Sequence, residues 1–150
     1  MQCLPKFVQQ FSVYKDELTL HVAPTAIVPV LTFLRDHSRC QFKSCVDISG
    51  ADYPERDKRF EVVYHLLSFS QAGRIRVKTY AGEADAVPSA VPLFRGADWY
   101  SLSNCDPSCV LTVIFRYERE AWDLFGIFFE GHPDLYVLVH SVKSTSLTSF

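Results

Sequence analysis

Two β-prone stretches lying close together constrain this chain most. Phe60 to Leu67 (Phe-Glu-Val-Val-Tyr-His-Leu-Leu) and Arg74 to Tyr80 (Arg-Ile-Arg-Val-Lys-Thr-Tyr) are separated only by Ser68 to Gly73. Two such runs across a short turn containing glycine predict a β-hairpin. In the second run Ile75, Val77 and Thr79 point one way while Arg74, Arg76, Lys78 and Tyr80 point the other. That basic row is either a solvated strand face or a surface for a partner, since three cations in line repel each other unless something acidic lies opposite.

Upstream, Glu17 to Val22 alternates apolar and polar residues as a half-buried strand does, and Pro24 ends it. Ile27, Val30, Leu31 and Leu34 then fall at i, i+3, i+4 and i+7, which predicts a helix to about Arg35 with Pro29 in its first turn. Phe42 to Ile48 reads as a further strand, followed by a polar, turn-prone stretch from Ser49 to Lys58. Three consecutive strands favour antiparallel pairing. Gly82 to Pro92 is a loop of small residues and proline, and a last helix is expected from about Tyr117 through Phe125, ended by Gly126. The order β-α-β-β-β-α predicts an α+β fold: a mainly antiparallel sheet with helices packed on one face.

The 150 residues suit one core, and 48% apolar against 21% charged residues excludes a disordered chain. A net charge of −2 argues for neither nucleic acid nor an anionic membrane as partner. No apolar run approaches the roughly 20 residues needed to cross a bilayer. Five cysteines without a CxxC pair point to unpaired thiols in a reducing compartment. The first residues show no secretory core and no Arg-rich amphipathic stretch, so a targeting sequence is expected to be missing or cleaved.

Residues 100–116 and 136–150 stand apart in composition: they carry only three charges, Asp106, Arg116 and Lys143. The final stretch shows neither helical nor strand periodicity and is expected to be disordered. Val110 to Phe115 is β-prone and uncharged, which predicts an aggregation-prone, poorly ordered segment.

Chemistry is sparse. Cys105 and Cys109 lack the second Cys or His pair that structural zinc needs. His65 and His132 are single histidines, better read as hydrogen-bonding groups than as catalysts, and no His is tied to Cys40 or Cys45 as a base to a nucleophile. There is no GxGxxG, Walker loop, GxSxG or HExxH motif. The residues by themselves describe a binding module with no catalytic site, cofactor site or metal site.

One combination is more specific. Glu118-Arg119-Glu120-Ala121-Trp122-Asp123-Leu124-Phe125-Gly126, followed by His132-Pro133-Asp134-Leu135, resembles the signature of the 30-kDa subunit family of respiratory complex I (NADH:ubiquinone oxidoreductase), which includes the bacterial counterparts of that subunit. Val28 to His37, Gln41 to Ser44, Arg59 to Ser68 and Arg74 to Tyr80 resemble the same family, so the likeness covers about Leu4 to Trp99 and Tyr117 to Leu135. The resemblance implies a cofactor-free, non-catalytic subunit of the proton-translocating enzyme, in the hydrophilic arm on the matrix side of the mitochondrial inner membrane. It implies other complex I subunits as partners, chiefly the 49-kDa quinone-site subunit, and no nucleic acid or membrane span. The interface residues it implies are Glu118, Arg119, Glu120, Trp122, Asp123, Phe125, His132, Pro133 and Asp134. On a helix, Arg119 and Asp123 lie at i, i+4, with Trp122 and Phe125 forming an apolar stripe on another side. The same acids and Arg119 also suit anchoring the helix on its own sheet.

Two departures from the family pattern are expected. Joining Trp99 to Tyr117 restores it, which makes 100–116 an insert whose end, Val110 to Arg116, is what a pyrimidine-rich tract with an AG acceptor encodes when an intron is retained. After Leu135 the family runs on with a pair of arginines and a basic, aromatic tail, whereas Tyr136 begins something unrelated. The family domain is thus expected over 1–135. The rival to an assembled subunit is an unassembled α+β fragment of an alternative transcript.

Overall fold

The computed structural model describes residues 6–94, 113–133 and 135; the side chains it describes in the last helix begin at Tyr117. Its elements are β1 (Val8–Tyr14), β2 (Glu17–Val22), α1 (Ile27–Asp36), β3 (Ser44–Asp52), β4 (Phe60–Ser68), β5 (Gly73–Ala81), β6 (Val87–Pro88), α2 (Val113–Phe125) and β7 (Phe129–Glu130). Five strands form one sheet in the order β1-β2-β5-β4-β3, and β6 pairs with β7 separately. The expected hairpin is present, β4 antiparallel to β5 with Tyr64 opposite Val77, and β3 pairs antiparallel with β4. Only the β2–β5 contact in this sheet is parallel. The fold is α+β, as the pattern predicted.

The sheet's register sorts its two faces. Val62, Tyr64 and Leu66 of β4 sit opposite Thr79, Val77 and Ile75 of β5, which in turn neighbour Val22, Leu20 and Leu18 of β2. On this face α1 packs Ile27, Val30, Leu31 and Leu34, each at most 4% exposed, into the same core cluster. Pro29 costs little there because first-turn amides have no intrahelical acceptor. The second helix covers the same face farther along, crossing β3 at Gly50. A methyl group at that glycine would lie 2.8 Å from Phe125 Cδ2 and 3.1 Å from Ile127 Cδ1. Gly50→Ala is therefore expected to cost about 1–2 kcal/mol, as overpacking does when a ring must turn aside. Urea unfolding of the two chains measures it.

The opposite face carries the basic row, and the acids the row requires are present. Arg76 pairs with Glu17 of β2 at 2.6 Å, and Lys78 pairs with Glu61 of β4 at 2.6 Å, which Arg56 also approaches at 3.7 Å. Two of the three cations are thus neutralised within the sheet, and the row is not a free basic surface.

Three expectations of extent change. The first strand, β1, was not expected: it pairs with β2 through a turn in which Lys15 and Asp16 both have positive φ, 49° and 64°. Non-glycine residues seldom adopt that conformation, so the usual hairpin marker is absent. Next, β3 continues through the polar stretch to Asp52, because Ser49, Gly50, Ala51 and Asp52 pair with Val63, Val62, Glu61 and Phe60 of the buried β4. Finally, α2 starts at Val113, four residues before the expected Tyr117. A helix held by packing propagates over β-branched residues at a cost of only a few tenths of a kcal/mol each. The rest of the expected insert, 100–112, and the stretch 136–150 lie outside the described residues.

Candidate functional site

The family-like signature falls on α2 and the segment that follows it, and the helix distributes its side chains over three sides. Inward point Glu118 and Ala121, at 0% and 3% exposure. Arg119, Trp122, Asp123 and Phe125 are half-buried, whereas Glu120 and Leu124 are exposed. Phe125 packs on the core beside Gly50, so the expected Trp122–Phe125 stripe divides between two settings. Trp122 meets Phe128 edge to face at 6.0 Å between ring centroids. Gly126, at φ +74°, ends the helix and donates its N–H to the Trp122 carbonyl at 2.8 Å. From there Ile127 and Phe129 turn inward, each 1% exposed, while Phe128 between them stays 49% exposed.

Glu118 is the residue that ties these parts together. Its carboxylate accepts a hydrogen bond from the Ser89 hydroxyl and another from the Ala90 amide, both at 2.7 Å. The carboxyl pKa is pushed up to about 7 by burial, which outweighs the two hydrogen bonds that favour the charged form. His132 Nε2 lies 3.9 Å from Glu118 Oε2, with both side chains fully buried. The Cys45 thiol, pushed up to about 12 mainly by burial, and the buried Tyr64 phenol, raised well above its usual range for the same reason, also feel the Glu118 charge. Anchoring on the protein's own framework is thus the part Glu118 plays. Pro133 is exposed, and Asp134 lies outside the described residues.

Sequence reasoning missed the other half of this anchor. Ser89 is 29 positions from Glu118, and nothing in the Gly82 to Pro92 loop marks it as the donor a buried acid requires. The β6–β7 pairing, with Val87 N–H donating to the Phe128 carbonyl and Ser89 N–H to the Glu130 carbonyl at 2.9 Å each, was equally hidden.

What remains outside is a surface suited to contact. Leu124, 67% exposed, stands one turn from Glu120 on the outer side of α2, and Phe128, 49% exposed, lies beyond the helix end against Trp122. A groove of about 290 Å3 runs between this helix and the edge strand β3, lined by Ser49, Gly50, Tyr117, Glu120, Leu124 and Phe125. A second hollow of about 240 Å3 lies over the ion-paired sheet face, among Glu17, Val46, His65, Arg74 and Arg76. Among the described residues no three His, Cys, Asp or Glu side chains converge as metal ligands, and no helix is long and apolar enough to cross a membrane.

Comparison with known proteins places these features in company. The family described as "Respiratory-chain NADH dehydrogenase, 30 Kd subunit" matches residues 20–106 and 108–143. The probable mitochondrial NADH-ubiquinone oxidoreductase 30.4 kDa subunit of Candida maltosa is 56% identical over 135 residues, 90% of this chain and 43% of that protein. A bacterial relative, one of the subunits of the NADH-quinone oxidoreductase of Mesorhizobium japonicum, is 51% identical over 119 residues, covering 79% of this chain and 51% of the relative. This chain therefore spans about half or less of the length of these curated relatives. Among solved structures, a chain of an archaeal respiratory membrane complex, the membrane-bound sulfane sulfur reductase, shares the fold with a TM-score of 0.64. That match is 22% identical and covers 87% of this chain and 67% of the other.

Proposed function

The chain belongs to the 30-kDa subunit family of respiratory-chain NADH dehydrogenase, and from that premise we propose that it serves as a non-catalytic core subunit of the hydrophilic arm of NADH:ubiquinone oxidoreductase. In this role it supports electron transfer from NADH to ubiquinone by scaffolding the quinone module. Its partners are other subunits of the complex, chiefly the 49-kDa quinone-site subunit, and its place is the matrix side of the mitochondrial inner membrane. The mitochondrial names of the fungal relatives support the mitochondrion as its compartment.

The observation that carries the reading is the division of labour on α2. Glu118 is spent on the internal anchor, while Leu124, one turn from Glu120, and Phe128, against Trp122 beyond the helix end, keep large apolar surfaces in water. Large apolar side chains left in water on and next to a rigid helix suit a protein contact. The docking residues on this reading are Arg119, Glu120, Trp122 and Asp123, with Phe125 at the groove; Glu118 and His132 position them, and Pro133 and Asp134 complete the signature. We keep residues 100–116 as a proposed insert and 136–150 as a proposed unrelated tail; exon boundaries at Trp99/Tyr117 and near Leu135 in a transcript map would support both.

The test is capture of the purified 49-kDa subunit by the full chain and two charge reversals. Arg119→Glu, on the signature helix, is expected to weaken capture at least tenfold. Lys15→Glu, in the exposed β1–β2 turn, is expected to leave it within about twofold, as rim or distant charges do. Equal losses for the two would remove α2 as the docking element.

A further inference from the structure

Where α2, the β6 loop and the segment after β7 meet, the molecule buries two side chains that carry opposite charges when ionised. Glu118 and His132 are each 0% exposed in their side chains, with Oε2 and Nε2 3.9 Å apart. The carboxyl group faces Ser89 and Ala90 from the loop, Cys45 from β3 and Tyr64 from β4. Ser89 and Ala90 donate hydrogen bonds but carry no charge. Cys45 and Tyr64 both keep their protons near neutral pH, because burial disfavours their anions. The charge of Asp47, two residues along β3, also raises that thiol. Among the described residues, His132 is thus the group beside Glu118 that can supply a positive charge.

We propose that Glu118 and His132 form a proton-sharing latch: with one proton between them the pair holds residues 126–133 against the β6 loop, and loss of that proton loosens the segment. With one proton the pair is neutral as a whole, either as carboxylic acid beside imidazole or as carboxylate beside imidazolium. Removing the proton leaves a buried carboxylate balanced by two hydrogen bonds alone, a costly state. The cheapest relief is for the end of the segment at His132 to lift and admit water, since Pro133 beyond it is already exposed. Opening there works against the two bonds that β6 makes to the segment, from Val87 N–H to Phe128 and from Ser89 N–H to Glu130. Phe128 moves with it, so the latch sets how the apolar surface beside α2 is presented. Only that consequence rests on the docking role proposed above; the latch itself belongs to the chain alone.

The sign follows from the raised carboxyl. Its contribution to holding the segment is fully present below about pH 4.5 and is lost as pH rises through about 7. Two measurements on the full chain test it: carbon NMR titration of the Glu118 carboxyl, and hydrogen exchange of the Val87 and Ser89 amides corrected for the intrinsic rate. The carboxyl is expected to titrate near neutrality. Protection of both amides is expected to fall about tenfold between pH 6 and 8. In Glu118→Gln, whose amide oxygen can still accept from the Ala90 N–H while its NH2 donates to the Ser89 hydroxyl oxygen, protection should not vary with pH. In His132→Gln the Glu118 midpoint should rise, because the cation that favours the carboxylate is gone. A carboxyl titrating near 4.5, unchanged protection from pH 6 to 8, or a Glu118 midpoint indifferent to His132→Gln would each overturn the latch. Should Glu118→Gln fail to fold, the carboxyl titration of the unaltered chain still decides. A latch that titrates as expected while capture of the 49-kDa subunit is indifferent to pH would leave the latch standing and count against docking through Phe128.

Discussion

Glu118→Ala is expected to lower the free energy of unfolding by about 4 kcal/mol at pH 5 and by only about 1–2 kcal/mol at pH 8. Truncation strands the Ser89 hydroxyl and the Ala90 amide in a buried site without their acceptor. Each orphaned donor costs roughly 1–3 kcal/mol, and the space left behind adds a cavity. The pH difference arises because the native carboxyl is raised to about 7 from an ordinary 4.5. At pH 5 it is folded as a neutral acid and contributes almost in full; by pH 8 burying it charged has cost about 2–3 kcal/mol, so less is lost on removing it. Urea unfolding at the two pH values measures both numbers. A loss independent of pH would mean that the carboxyl is charged in the folded chain throughout that range.

Phe129→Ala is expected to cost about 3–5 kcal/mol, whereas Phe128→Ala, one residue away, should change stability by less than about 1 kcal/mol. The contrast comes from exposure: Phe129 is 1% exposed in the core cluster and Phe128 is 49% exposed. Phe128 keeps an edge-to-face contact with Trp122, worth at most about 1 kcal/mol at such a site. On the docking reading the order inverts for binding, and Phe128→Ala weakens capture of the partner although the fold is intact. Thermal unfolding and the capture assay on the same two variants separate the roles. Similar stability losses for the two would show that Phe128 is also part of the core.

The contrast between these neighbours bears on what can be read from residues alone. Where one face of an element is buried along its whole length, the pattern shows: β2 matches its expected bounds, and α1 carries its four core residues at the expected spacing. The hairpin of β4 and β5 was visible for the same reason, since both strands alternate against a single core. Burial fails as a signal at the edges. In β1, Phe11 and Val13 alternate properly but are 50% and 64% exposed, beyond the helices that cover the rest of that face. Its turn uses Lys15 and Asp16 where glycine or asparagine would have announced it. The end of β3 is a strand because β4 lies beside it, which Ser49 to Asp52 do not encode locally.

The site divides in a similar way. Its residues were visible as a family-like signature on one helix, and Gly126 was correctly placed to end that helix. Their separate duties were not visible. Whether an acid on a helix faces its own framework or a partner depends on what lies opposite, and the loop carrying Ser89 approaches Glu118 only in three dimensions. Likewise the acids opposite Arg76 and Lys78 sit on β2 and β4, so the fate of the basic row is decided by strand order.

Native electrophoresis of mitochondria from cells expressing the tagged full chain, followed by detection of the tag and of the 49-kDa subunit, tests the central claim most directly. The chain is expected to migrate with the 49-kDa subunit, in the whole complex or in an assembly intermediate, and Arg119→Glu is expected to shift it to the position of the free chain. Migration of the unaltered chain only as a free species, with the 49-kDa subunit elsewhere, would contradict the proposed role as a subunit of NADH:ubiquinone oxidoreductase.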